Sequence, residues 1–155
     1  MKRYNSNTTK FLISVSTILT IIFLLGQTMA IVNYQFAIDI GLQEPASEIT
    51  KMGIALNKGF GFGDTVVYIP MLIIGIVGIW RHKILGIYVM IGAMAITIYW
   101  PLVSLSTLFY ARNIEGWGFS DYTSYSIILG TIALFGLWAL IYLISNMNKL
   151  GYKSL

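Results

Sequence analysis

The chain has 155 residues, of which 57% are hydrophobic and only 10% are charged. A soluble domain of this length leaves too much surface exposed to hide so much apolar side chain. That balance excludes an ordinary soluble enzyme, a disordered tail and a nucleic-acid-binding module. There is no Cys and a single His. Disulfides, thiolate chemistry, thiolate metal sites and a haem held by two histidines of one chain are therefore excluded as well. The net charge of +4 is explained below by where the basic residues fall.

Charged residues punctuate four uncharged stretches at 11–38, 65–80, 84–111 and 122–148. A helix rises 1.5 Å per residue, so crossing about 30 Å of hydrocarbon takes roughly 20 residues. Three stretches are long enough outright. The second supplies about 24 Å and needs an earlier start, near residues 61–64. Open strands cannot cross lipid with unpaired edges. The expected fold is an all-α integral membrane protein: one domain, a four-helix transmembrane bundle with spans near 11–32, 62–80, 84–108 and 122–145. The N-terminal segment has the basic and apolar regions of a secretory leader, with Thr28-Met29-Ala30 resembling a cleavage site. Its apolar pattern runs past Ala30 through Ile31, Val32, Phe36 and Ile38, which favours a retained helix.

Between the first two spans, Glu44-Pro45-Ala46-Ser47-Glu48 has the residues of a helix start, with Pro in the first turn and acids near the positive end of the dipole. Ile49, Met52 and Leu56 follow at helical spacing, and Gly59 suits a stop. This predicts a short external amphipathic helix over 46–58, lying in the interface. The second external segment, 112–120, is Gly-rich, and Trp117 and Phe119 are expected to dip into the headgroup region. Lys2, Arg3, Lys10, Arg81, Lys83, Lys149 and Lys153 fall on one side of the four spans. All six acids, Asp39, Glu44, Glu48, Asp64, Glu115 and Asp121, fall on the other. By the positive-inside rule both termini are cytoplasmic in the cell membrane, and the basic excess faces lipid headgroups rather than nucleic acid.

Three features could carry chemistry. Asp64 follows Gly59-Phe60-Gly61-Phe62-Gly63, which lacks the pattern of a phosphate loop. It reads as the N-cap of span two or as a ligand contact. It stands seventeen residues, or about 26 Å, from Arg81. Pro70 and Pro101 should kink spans two and three at similar depth and could open an outward cavity lined by Tyr68, Tyr99 and Trp100. Asp121 is the remaining ligand or partner candidate. Small residues recur in every span (Gly26 and Ala30; Gly75 and Gly78; Gly92, Ala93 and Ala95; Ala133 and Gly136), which lets backbones approach closely. His82 lies between Arg81 and Lys83, far from every acid, so no Ser-His-Asp constellation can form. No metal-loop spacing occurs among the acids, and no catalytic, metal or cofactor site is expected. No charge falls near the bilayer midplane, which disfavours coupled transport. The sequence thus favours a small non-catalytic binding or accessory membrane protein. Its outer face would take a lipid-like ligand or a partner, either another membrane protein or a second copy. The alternatives are a small membrane enzyme acting on lipid-like substrates from the outer leaflet, with Asp64 and Asp121 as acid and base, or an uncoupled channel or carrier.

Overall fold

The computed structural model describes residues 7–118 and 121–150. It contains helices and no strand among those residues. Helix α1 covers Asn7–Val32, α2 Tyr34–Asp39, α3 Ala46–Trp80, α4 Ile84–Ala111 and α5 Tyr122–Leu150. Four of them, α1, α3, α4 and α5, are long and apolar enough to cross a membrane. They run alternately up and down. One end, here the basic end, carries Lys10 and the Arg81–Lys83 turn. The other, the acidic end, carries the 33–45 connection, the start of α3 and the 112–121 loop.

The expectation of a separate interfacial helix over 46–58 is not met. Residues 46–80 form one helical segment kinked at Thr50, and the stretch after the kink, 51–80, is about 45 Å long at helical rise. Gly59 does not stop it. Gly63 and Asp64 both hold right-handed helical angles, at φ −58° and −64°. The glycines permit contact instead: a Cβ on Gly61 would lie 2.5 Å from the carbonyl oxygen of Gln27, so only glycine lets α3 pass α1 this closely. The expected single apolar face is split as well. Ile49 is 3% exposed and Met52 70% exposed. The cause is Thr50, whose φ of 65° breaks the helical register after the first turn. Its hydroxyl then accepts from the Gly53 N–H at 3.4 Å, so Thr50 caps the helix proper. Ile49 buries beside Leu108 and Leu129.

The basic end is tightly filled. Gly78 meets Gly86 backbone to backbone, with an added Cβ only 2.4 Å from the opposite Cα. Met90 packs over Gly75. Leu12, Leu72, Ile87, Met90, Met94 and Leu143 are completely buried nearby. The α3–α4 turn ends in a Schellman motif: Lys83 N–H donates to Gly78 C=O at 2.8 Å and His82 N–H to Ile79 C=O at 3.0 Å. His82 takes the left-handed position, φ 55°, that glycine usually fills.

Toward the acidic end both α1 and α3 widen into π-helical turns, Leu24–Thr28 and Asp64–Tyr68. The two turns touch, and the hydroxyls of Thr28 and Thr65 share a hydrogen bond of 2.9 Å. Pro70 follows the second turn and has no N–H to give. Pro101 is buried inside α4, which continues through it.

Candidate functional site

The acidic end holds a half-open cavity of about 140 Å³. Its polar side is built by the 33–45 connection. Asn33 caps α2 by accepting from the Phe36 N–H at 3.1 Å. Gly41, at φ 72°, closes α2 in a second Schellman motif, with Leu42 N–H donating to Ala37 C=O at 2.9 Å. The reversal lays Leu42 over Gly26 and points the chain back into the bundle. Gln43 and Glu44 therefore reach the cavity, and Gln43 is buried.

Asn57 of α3 organises the polar atoms. Its Nδ2 donates toward Gln43 Oε1 at 2.9 Å, Glu44 Oε2 at 3.1 Å and the Tyr34 hydroxyl at 3.4 Å. Tyr34 donates to the Glu44 carbonyl at 3.0 Å. Burial raises the Tyr34 phenol above its ordinary value, and the Glu44 charge adds to that, while the Asn57 hydrogen bond acts the other way. The phenol therefore stays protonated and remains a donor. Tyr125 of α5 donates to Glu44 Oε1. Lys58 stands over the outer ring face of Tyr34, 5.7 Å from its centroid. The rest of the lining is largely apolar and aromatic and includes Leu56, Phe60, Trp100, Leu108 and Trp117. Gly118 N–H donates to Glu48 C=O at 2.8 Å, which ties the 112–121 loop to the start of α3. Trp117 thereby turns into the cavity rather than outward to a headgroup layer, and Phe119 lies outside the described residues.

Two polar atoms of the lining are buried without a partner: Gln27 Oε1 and Trp117 Nε1. Buried polar atoms are almost always hydrogen-bonded, so a lining with one orphan acceptor and one orphan donor is shaped for something that supplies both.

Of the residues singled out by sequence, Trp100 lines this cavity and the other four do not. Tyr68 is 1% exposed and fills the space between helices, donating to Thr97 Oγ1 at 2.7 Å while Thr97 donates to Ala93 C=O. Phe23 packs edge-on against both Tyr68 and Trp100. Tyr99 is 64% exposed on the outer surface of α4. The expected opening between spans two and three is thus closed by Tyr68, and the cavity lies nearer the acidic end.

Asp64 is not an N-cap. It sits inside α3 at the start of the π turn, 7% exposed, with Oδ2 lacking any partner. A cap needs non-helical backbone and free N–H groups ahead of it, and Asp64 has neither. Asp121 has both. Its Oδ1 accepts from the Ser124 N–H at 3.0 Å, the geometry of an N-cap on α5. These hydrogen bonds to Ser124 hold the Asp121 carboxyl below the usual carboxylate range. Gln27, Gln43, Glu44, Asn57 and Trp117 were not foreseen as a group. No protein-family model, curated protein or solved structure matches this chain.

Proposed function

We propose that this chain is a non-catalytic, multi-pass protein of the cell membrane that binds the polar head of a small amphiphile in its acidic-end cavity. The observation that carries the reading is the cavity itself, whose lining combines hydrogen-bonding groups, aromatic and aliphatic groups and two orphan polar atoms. Ligand sites combine apolar enclosure with a few placed polar groups in this way. The catalytic alternative loses support, because neither Asp64 nor Asp121 reaches the cavity. In this reading the basic end and both termini are cytoplasmic, and the acidic end faces out. Membrane lipids are the natural source of ligand. Association with a second copy or another membrane protein is compatible with the exposed apolar side chains of the long helices.

Two measurements test it. The full chain, purified in mild detergent, should retain an amphiphile detectable by native mass spectrometry. Ser104→Leu, which fills the cavity from α4, should fold and lose most of it; equal retention would sink the binding reading. Separately, Cys introduced at Ser47 or Gly116 should react with an impermeant maleimide in intact cells, while Cys at His82 should stay shielded. The opposite pattern would invert the topology.

A further inference from the structure

We propose that the group seated in the acidic-end cavity is a protonated amine carrying at least one N–H. The inference rests on the binding reading above and adds the chemistry of the ligand.

Charge is the first argument. Among the described residues, the lining contains one carboxylate, Glu44, and neither Lys nor Arg. A phosphate or carboxylate placed there would meet Glu44 at close range and find no cation to offset it. A cation meets the reverse situation.

The second argument is the supply of protons. Asn57 Nδ2 offers two hydrogens to three acceptors, Gln43 Oε1, Glu44 Oε2 and the Tyr34 oxygen. Gln43 Nε2 is turned the other way, toward the Gly26 carbonyl, at 3.5 Å. Gln27, only 9% exposed, has its Oε1 with no donor at all. At these atoms hydrogens fall short of acceptors: Asn57 cannot serve all three at once, and Gln27 Oε1 has none. An ammonium group brings up to three donors and no acceptor, which corrects the imbalance. A quaternary ammonium would bring the charge without the protons and leave Gln27 Oε1 orphaned.

The third argument is the aromatic part of the lining. Phe60, Trp100 and Trp117 line the cavity, and aromatic faces attract a cation as it leaves water. The volume, about 140 Å³, is close to that of an engineered cavity that takes up benzene, so an aminoalkyl group fits and a whole lipid does not. The one orphan donor, Trp117 Nε1, is satisfied by an oxygen on the ligand. An aminoethyl group attached to oxygen meets every requirement. It occurs both in a lipid headgroup and in the free amine, and these two sources are separated by experiment.

The full chain is placed in nanodiscs of phosphatidylcholine and phosphatidylglycerol. The probes are phosphatidylethanolamine in the bilayer, free ethanolamine in solution, and ethylene glycol as the counterpart lacking the amine. Thermal midpoint and tryptophan fluorescence are read, since Trp100 and Trp117 both line the cavity. Either amine should raise the midpoint, and ethylene glycol at equal concentration should not. Response to phosphatidylethanolamine alone identifies a lipid headgroup, and response to free ethanolamine alone identifies a soluble amine. Glu44→Gln, checked for retained helix content by circular dichroism, should weaken the amine response about tenfold or more. Equal responses to ethanolamine and ethylene glycol overturn the proposal whatever the variant does, because that comparison uses the unaltered chain. So does an unchanged amine affinity in folded Glu44→Gln. If another amphiphile is retained but no amine binds, the amine inference fails and the binding reading stands. If nothing is retained, both fail.

Discussion

The two ends of the bundle are built from the same four long helices yet packed by opposite rules. At the basic end the Gly78–Gly86 crossing brings backbones into contact, and aliphatic side chains fill the rest. At the acidic end the helices widen into π turns, and a cavity is left open. Gln27, Asp64 and Trp117 each bury a polar atom without a partner there. Orphaned polar groups cost stability, so their concentration at one end marks where packing has given way to some other demand. The filled end carries the close backbone crossing, and the open end carries the cavity and the orphan atoms.

Three substitutions would break or sharpen this contrast. The largest effect is expected at the filled end. Gly78→Val forces a branched side chain into the Gly86 backbone and should cost about 3 kcal/mol, seen as a lower unfolding midpoint in detergent. A midpoint within a degree of the wild type would show that the crossing is looser than its geometry. At the open end the sign reverses. Asp64→Asn removes a buried carboxylate whose Oδ2 has no partner and should stabilise the chain by roughly 1–2 kcal/mol. A loss of stability instead would mean that the carboxylate has a partner in the membrane. The smallest effect belongs to Asp121, which is exposed. Hydrogen bonds to Ser124 depress its folded-state pKa, so its stabilisation is present above the unfolded-state value and fades as pH falls through the depressed one. Asp121→Asn, another good cap, should flatten that acid limb while leaving neutral-pH stability nearly unchanged. An acid limb identical to the wild type would assign the pH dependence to other groups.

The four long helices were legible because their pattern is strong and simple, namely uncharged apolar runs of sufficient length separated by charges. The cap assignments were legible in type and wrong in place. A Gly-rich run followed by Asp has the residues of a helix boundary, but close helix packing asks for glycine too. Nothing local in 59–64 tells the two demands apart. Tyr99 and Trp100 show a finer limit. They are neighbours about 100° apart on α4, and one faces out while the other lines the cavity. Hydrophobicity alone could not separate them, since this helix carries apolar side chains on its exposed and its buried faces alike. The cavity residues Gln27, Gln43, Glu44 and Asn57 come from three segments joined by two reversals, and no spacing along the chain announces that they meet. The one available signal was amide side chains among apolar neighbours, Gln27 above all.

The facing π turns also act as a gearing device. One residue added to a helical turn rotates everything beyond it by about 100° relative to the preceding turns. Made in a single helix, such a slip would unmesh that helix from its neighbour for the rest of its length. Here α1 and α3 slip at the same height and are pinned there by Thr28 and Thr65. Each helix can therefore show one face to the filled end and another to the open end while staying engaged throughout. The bundle works as two short assemblies with different surfaces, joined end to end by a shared change of phase.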